Sequence, residues 1–574
     1  MQFYHRIHYP HWLTDFTLLT LALSVFYFIW SGSYPLFVPD EGRYSEVARE
    51  MLVMHDYITP RLNGIVFLDK PILYYWLQAI AMKLFGINEW ALRFWPILFG
   101  IIGCWITYFT GYILFNRRTA IVSALILATS PLYFGAAHYA NLDLEVAVLI
   151  SSSLSCFIMA TRLTKPRQRQ VCFFLSCIFA GLAVLTKGLI GLVFPITIIG
   201  SWIVLSGQWR ILKNLPLIRG ILLFTTITLP WYLLAQQANP EFFHFFFVTQ
   251  QVTRFLSAAD FNNKTAFWFY FPIVFAGFLP WSAFVIQAIV NSVTKLCKTP
   301  RAHLVELFLL LWLCIIFTFF SIPHSKTVGY ILPIFPALAL LTGHFLDQYW
   351  DNVSCKRIRY GIGLAMGLLL CSAILLPILS QVYASLIPPG FKHYLYEFAG
   401  IALATCLSLY ITQRYNATLI AKFTCLTISS ILLLSLLTFS AASLNDNTVK
   451  PLALKLKLIL QPNDEIITYY KYYQDLPLYL EKRIVITADW KASDIANNDN
   501  WVRELWYGMY FRNSLASTKW LINEDEFWQR WNQKKRIFVL LNKNYLEDFQ
   551  RKAQQNRYYL IDTRGNVMLF SNQS

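Results

Sequence analysis

Apolar runs long enough to cross a bilayer recur along this chain, and they leave few architectures open. Leu13 to Trp30 is the first; others cover 91–113, 119–137, 141–160, 171–186, 188–206, 217–235, 266–290, 304–322, 328–346, 360–380, 396–412 and 423–441. A spanning helix needs about 20 mostly apolar residues, so the pattern predicts an α-helical polytopic membrane protein with about 13 transmembrane helices. Composition agrees, because 56% apolar and 14% charged residues over 574 positions cannot be housed in an ordinary soluble surface. Thr186-Lys187-Gly188 must turn tightly between two runs, and Asp143 and Glu145 interrupt another.

Lys and Arg collect in every second loop: Arg117-Arg118; Arg162, Lys165, Arg167 and Arg169; Arg210, Lys213 and Arg219; Lys295, Lys298 and Arg301; Lys356, Arg357 and Arg359; Arg414 and Lys422. Cytoplasmic loops keep positive charge, so these face the cytoplasm. The remaining loops hold Asp40, Glu41, Asp69, Asp143, Glu241, Asp260 and Lys326, and an odd number of spans puts the tail after Ser443 on the same outer side. The formal charge of +17 is therefore mainly a topology signal and points to no nucleic-acid partner. The first run lacks a small-residue cleavage site, so no cleavable signal peptide is expected. All ten cysteines fall in spans or cytoplasmic loops, and Cys172 and Cys177 are not in metal-ligand spacing. Neither structural disulfides nor a zinc cluster is expected.

This organisation divides the chain into a membrane unit, 1–443, with outer loops at 31–90 and 237–265, and a soluble tail, 444–574. In the first loop, Tyr44 to Met54 puts Val47, Ala48, Met51 and Met54 on one helical face. Pro71 to Phe85 is aromatic and too short to span, so both segments read as helices lying at the headgroup boundary. The tail alternates strand-like runs (Glu465–Tyr470, Arg483–Thr487, Arg536–Leu541, Tyr558–Ile561) with helix-like ones (Tyr472–Leu480, Glu524–Trp531, Tyr545–Ala553). Such alternation predicts a small α/β domain.

Polar chemistry gathers on the outer side. Asp40, Glu41 and Arg43 are followed about thirty positions later by Asp69-Lys70-Pro71. Carboxylates and a lysine at a membrane surface can hold a sugar and a phosphate headgroup, the lysine offsetting charge that grows on a departing phosphate. The plainer reading has Asp40 capping a helix that begins near Gly42, and Lys70 snorkelling toward lipid phosphates. Asn141-Leu-Asp-Leu-Glu145 stands at the outer start of a span, where ionisable groups are costly and tend to be functional, though an interfacial Asp can also be solvated or cap its helix. Thr186-Lys187-Gly188, Glu241 to His244 with Arg254, and His324 to Tyr330 fall on the same face. Each basic residue alone reads as a lipid anchor, and His244 as a packed interfacial histidine. Together, Lys70, Lys187, Arg254 and Lys326 against Asp40 and Asp143 favour a site for a lipid-linked phosphate. A Gly-rich phosphate loop, an H-E-x-x-H motif and a G-x-S-x-G elbow are all missing from the sequence, which disfavours a soluble-nucleotide enzyme or a protease.

The order of Pro39-Asp-Glu-Gly-Arg-Tyr44, Asp69-Lys-Pro71, Leu142-Asp143, Leu185-Thr-Lys-Gly188, Pro230-Trp-Tyr232, Asn239-Pro-Glu-Phe-Phe-His244, Arg254-Phe255, Leu279-Pro-Trp281, Ser325-Lys326 and Tyr330-Ile-Leu-Pro333 resembles the bacterial lipid A aminoarabinose transferase family. These are C-type glycosyltransferases related to protein O-mannosyltransferases. The resemblance runs from about residue 35 to 340, and an outer C-terminal domain also fits. It implies transfer of 4-amino-4-deoxy-L-arabinose from undecaprenyl phosphate to a lipid A phosphate at the periplasmic face of the inner membrane, giving polymyxin resistance. It implies catalytic roles for Asp40, Asp143 and Lys70, and substrate contacts from Glu41, Arg43, Asp69, Lys187, His244, Arg254, Lys326 and Tyr330. A phosphate acceptor is already anionic and needs positioning, whereas a hydroxyl acceptor would need Asp40 as general base.

Three departures bear on this. The family's Glu-Lys-Pro is Asp69-Lys70-Pro71 here, its Glu-His pair is Gln250-Gln251, and Phe261 to Ala266 lacks the usual His and Pro. No cofactor is demanded, and a divalent metal stays open. The implied partners are a polyprenyl-phosphate sugar donor, lipid A or another glycan or lipid acceptor, and membrane lipids. Two rivals remain: a sister enzyme moving a hexose, hexosamine or mannose to lipid, polysaccharide or protein, and a flippase or transporter. The latter would place paired charges or broken helices near the midplane, whereas these charges sit at outer helix ends.

Overall fold

The computed structural model describes residues 9–253, 265–351, 355–383, 387–445, 448–492, 495, 500–509, 511, 517–553 and 558–573. Its first helices are α1 (Tyr9–Phe28), α2 (Asp40–Met54), α3 (Leu73–Phe85), α4 (Glu89–Leu114), α5 (Arg117–Ala128), α6 (Pro131–Ala137), α7 (Leu142–Arg162), α8 (Pro166–Lys187) and α9 (Ile190–Ser206). Among the described residues, nine helices are long and apolar enough to cross a membrane. Two further helix pairs meet the same length and apolarity only when taken together across a bend: α5 with α6, bent by 66°, and Phe267–Gly277 with Ser282–Lys298, bent by 112°. Two shorter apolar helices, Trp12–Phe28 and α9, complete the set, so each predicted run falls on one of these elements. The protein is an integral membrane protein.

Helix α7 is the hub. Its spanning window is 94% buried, against 17% for the peripheral Lys356–Val382. Small hydroxyl residues let neighbours approach closely: Ser176 Oγ on α8 donates to the Ser153 carbonyl of α7 at 2.8 Å. The expected turn at Thr186-Lys187-Gly188 is present. Gly188 ends α8 at φ +82°, and α9 begins two residues later. At the far end of the bundle from the outer loops, Arg117 pairs with Asp15 at 2.6 Å.

The first outer loop departs from expectation in one respect. Both helices form, but α2 is not laid on the headgroup surface. It is buried from Glu41 to Met51, apart from a half-buried Arg43, charged Glu46, Arg49 and Glu50 included, and only its far end is open, with Met54 44% exposed. The reason is the C-terminal unit lying over it. Arg483 forks onto Glu50 (Nη2–Oε2 2.7 Å), Asn63 exchanges bonds with the Ile484 backbone (2.8 and 3.0 Å), and Tyr479 accepts the Leu36 N–H at 3.0 Å. Gly42 permits the contact, since a Cβ there would lie 2.7 Å from the Asp475 nitrogen. Helix α3 does turn apolar side chains outward, at Ile80, Leu84 and Phe85.

The C-terminal unit is built on a six-stranded sheet. After the short hairpin β1 (Arg61–Leu62) and β2 (Ile65–Val66) come β3 (Glu465–Tyr469), β4 (Val485–Thr487), β5 (Leu521–Ile522), β6 (Ile537–Asn542), β7 (Tyr559–Arg564) and β8 (Val567–Ser571), arranged β5-β4-β3-β6-β8-β7. β3 to β6 pair in parallel, while β7 and β8 add an antiparallel edge. Successive strand residues face opposite sides. Ile537, Val539 and Leu541 of β6 pack with Phe527, Trp531 and Phe549 from the covering helices, whereas Phe538 and Leu540 join the core shared with α2 and α3. With both faces covered, the strands read as continuous apolar runs, which explains why alternation alone left β5 and β8 unnoticed.

Candidate functional site

Asp40 opens α2, but it does not cap it. The residue before the helix is Pro39, and no side-chain cap bond forms. The Asp40 carboxylate instead takes the guanidinium of Arg43, one helical turn on, and the amide of Asn141 at 3.3 Å. Arg43 reaches in the other direction to Glu504, on the helix Trp501–Met509 of the C-terminal unit. That helix can lie against β2 because of Gly508, where a Cβ would collide with the Val66 carbonyl. Burial pushes the Glu504 carboxyl above its ordinary range; Arg43 opposes the shift, and the negative charges of Asp69 and Asp40 add to it. Two carboxylates, those of Asp40 and Glu504, thus grip one guanidinium.

Asn141 links this group to the next. Its Oδ1 caps α7 by accepting the Asp143 N–H at 3.1 Å, while its Nδ2 faces Asp40. Asp143, on the first turn of α7, forms an ion pair with Lys187 from the last turn of α8; both are half-buried, at 14% and 12% side-chain exposure. A cation at a helix C-terminus and an acid at an N-terminus each sit where the peptide dipoles favour them. The Lys187 ammonium lies 4.2 Å from the centre of the Tyr330 ring, a cation–π contact. Gly329 lies directly against the Asp143 carboxylate, leaving no room for a side chain. Asp40, Arg43, Asp143, Lys187 and Tyr330 are therefore drawn into one network, with Asn141 and Glu504 as its unforeseen connectors.

Other candidates are placed differently. Glu41, expected to touch substrate, is fully buried and committed: Arg93 donates to both its oxygens (2.9 and 2.7 Å), as do the backbone N–H groups of Ala140 (2.7 Å) and Phe37 (2.7 Å). It braces the loop and is closed to ligand, because every oxygen is already satisfied inside the protein. Lys70 and Asp69 are half-buried in the bend before α3. Lys326 is buried and donates to the Thr265 carbonyl at 3.2 Å, while Thr265 and His324 pair through the backbone, so this lysine fastens the end of the 237–265 loop. His244 is exposed, and among the described residues no hydrogen bond or ion pair joins it to the network. Arg254 lies outside the described residues, as does 261–264. Among the described residues, the groups beside Asp69 do not form a donor set that fits a divalent metal. Asp69 Oδ1 accepts the Gln250 amide at 3.3 Å, an N–H donor standing where a ligand lone pair would be needed. No group of three His, Cys, Asp or Glu is disposed to hold an ion among the described residues.

Comparison with known proteins identifies the family and the fold. Residues 69–234 match the family model described as dolichyl-phosphate-mannose-protein mannosyltransferase. The undecaprenyl phosphate-alpha-4-amino-4-deoxy-L-arabinose arabinosyl transferase of Enterobacter sp. (strain 638) is 30% identical over 412 residues, 71% of this chain and 72% of that protein. The transferase of the same name from Yersinia enterocolitica is 30% identical over 363 residues, 62% of this chain and 64% of that one. Across several such relatives the chain spans about three fifths of their length, 64%, 60% and 59% in three cases. In fold, the crystal structure of ArnT from Cupriavidus metallidurans bound to undecaprenyl phosphate superposes with a TM-score of 0.84 at 24% identity, over 98% of each chain. The chain belongs to the family of undecaprenyl phosphate-alpha-4-amino-4-deoxy-L-arabinose arabinosyl transferases.

Proposed function

We propose that this protein transfers 4-amino-4-deoxy-L-arabinose from undecaprenyl phosphate to a phosphate of lipid A, at the periplasmic face of a bacterial inner membrane. The single observation that carries the reading is the joined network of Asp40–Arg43–Glu504 and Asp143–Lys187 at one end of the helix bundle. Around Arg43 the carboxylates outnumber the cation, which suits a sugar bearing an ammonium group. Lys187, with Lys70 in the adjoining loop, offers positive charge to a phosphate.

In the reaction the bond between the sugar's anomeric carbon and the donor phosphate oxygen breaks, the electron pair stays on undecaprenyl phosphate, and an acceptor phosphate oxygen forms the new bond. Lys70 and Lys187 would offset the charge gathering on the leaving phosphate. Asp40 and Asp143 would hold sugar hydroxyls and amine, because an anionic acceptor needs orientation more than deprotonation. Residues 1–443 form the transferase unit in this reading, and 444–574 a periplasmic domain that completes the site through Glu504. The basic loops lie away from the network, which supports a periplasmic site. An added aminoarabinose lowers the negative charge of lipid A and with it the attraction for cationic polymyxin.

The test is mass spectrometry of lipid A from a polymyxin-sensitive strain that makes the donor but lacks its own transferase. Expression of the chain should add a pentosamine to a lipid A phosphate, and Asp40→Asn, Asp143→Asn and Lys70→Ala should each abolish the addition while remaining folded. A hexose or hexosamine increment would move the assignment to a sister enzyme. Unchanged lipid A despite confirmed expression would refute the proposal.

A further inference from the structure

The C-terminal sheet carries a second polar pocket that the transfer reading does not use. Strand order β5-β4-β3-β6-β8-β7 reverses at β3, with β4 and β5 following on one side and β6 on the other. Connections leaving the carboxyl ends of β3 and β6 therefore diverge, opening the kind of crevice in which parallel sheets take ligands. A cavity of about 430 Å³ lies there, lined by Lys471 and Tyr473 just after β3, Asn542 at the end of β6, Arg564 at the end of β7, and Gly565 and Asn566 in the β7–β8 turn. Neither Lys471 nor Arg564 is paired with a carboxylate among the described residues, and no acid lines the cavity.

The plain reading, two solvated surface cations, leaves one feature unexplained. Tyr473 is 2% exposed, and its buried phenol oxygen has no hydrogen-bond partner among the described residues. A buried hydroxyl left unpaired is costly and calls for an acceptor. Asn542 Oδ1 is already taken by the Asn544 N–H at 3.1 Å, leaving its NH2 to donate. An ammonium, a guanidinium, a phenol and amide NH2 groups form a set rich in donors, matched by a ligand rich in acceptor oxygens and negative charge. The loop that holds Lys471 and Tyr473 is also the one whose Gln474 and Asp475 backbone packs on Gly42 of α2, so the pocket lies in the part of the domain applied to the membrane unit.

We propose that this pocket binds a phosphate monoester, either the headgroup phosphate of a lipid or a soluble phosphate. The proposal stands apart from the transfer reading and survives its failure. Calorimetric titration of the full chain in maltoside micelles with inorganic phosphate should show a saturable site. Lys471→Gln with Arg564→Gln should weaken it about tenfold or more, Tyr473→Phe should weaken it also, and Arg551→Gln, at an exposed cation outside both sites, should leave it unchanged. Repeating the titration in nanodiscs distinguishes the sources. Loss of phosphate binding in discs of phosphatidylcholine with phosphatidic acid, but not of phosphatidylcholine alone, assigns a lipid headgroup; equal binding in both assigns a soluble ester. Equal phosphate binding by the wild type and the folded double variant overturns the proposal.

Discussion

Replacing Gly329 by alanine tests whether the placement of Asp143 controls the reaction. A Cβ on Gly329 would lie 2.9 Å from Cβ and Cγ of Asp143 and closer still to Oδ2, inside the 3.0 Å that real Cβ atoms respect. The backbone cannot easily yield, because Ile331 to Ile334 of the same turn are buried against the bundle. The carboxylate must therefore swing by roughly 1 Å, leaving its rotamer at a cost of about 0.5–1.5 kcal/mol and loosening the Lys187 pair. Loss of stability should stay within about 1–3 kcal/mol, as for other overpacked sites. Activity should suffer more, since a displacement of about 1 Å in a positioning group costs roughly a hundredfold in rate. Gly343→Ala is the matched control: its Cβ would meet the Ser123 nitrogen at 3.0 Å and its hydroxyl closer, an equal steric insult far from the network. Thermal midpoints by fluorescence-detected size exclusion should fall similarly for both variants. Lipid A mass spectrometry should show transfer lost only in Gly329→Ala. Wild-type transfer by a folded Gly329→Ala protein would refute the argument that Asp143 must stay where the turn holds it.

Three further outcomes follow from the same contacts. Arg93→Met strands the fully buried Glu41 carboxylate and should destabilise the protein by about 3–5 kcal/mol, read as a midpoint drop that Glu41→Leu in the same chain largely reverses; no drop would mean that the pair does not brace the loop. Burial pushes Asp475 up from 3.8 to about 6 despite bonds from Thr448 Oγ1 (2.9 Å) and the Val449 N–H (3.1 Å). A raised carboxyl favours the folded state at low pH and loses that advantage as pH rises through about 6, a swing of roughly 3 kcal/mol. Asp475→Asn should therefore gain stability over the wild type as pH climbs from 4 to 7, and a gap independent of pH would contradict the assignment. Glu504→Gln, which weakens the hold on Arg43, should lower transfer about tenfold with little change in midpoint. Because the Glu504 carboxyl is raised by burial, wild-type transfer should fall as acid protonates it, and the variant should lose that limb of the pH profile.

What the sequence made legible depended on how locally each feature is encoded. Spans are written in consecutive residues, and the turn at Thr186-Lys187-Gly188 announces itself by a glycine that reaches φ +82°. Asp143 and Lys187 could be picked out because each stands at the polar end of an apolar helix. Their pairing could not, since it depends on α7 and α8 running side by side with Gly329 pressed against the carboxylate. Glu41 shows the opposite case. It neighbours Asp40 in sequence and looks equally available, yet one step along α2 turns it inward to Arg93, while Asp40 stays on the open side. A helix moves each successive residue around its axis by more than a quarter turn, so adjacent acids rarely share a fate.

Glu504 was the least legible residue, and the reason is instructive. It lies 461 positions from Arg43, on a short amphipathic helix whose own pattern says only that one face is buried. Its role arises from two remote permissions: Gly508, which lets that helix sit on β2, and Gly42, which lets the loop after β3 sit on α2. Neither glycine adopts an unusual φ, so neither marks a turn; each is required by the approach of another backbone. If the C-terminal domain exists in part to bring Glu504 to Arg43, then Gly42→Ala, which obstructs docking without touching any charged group, should reproduce the Glu504→Gln activity loss. Limited proteolysis should at the same time cleave more readily between the last membrane helix and β3. Full transfer activity in a Gly42→Ala protein whose tail is demonstrably loosened would mean that the domain completes nothing in the site, and that Arg43 is held well enough by Asp40 alone.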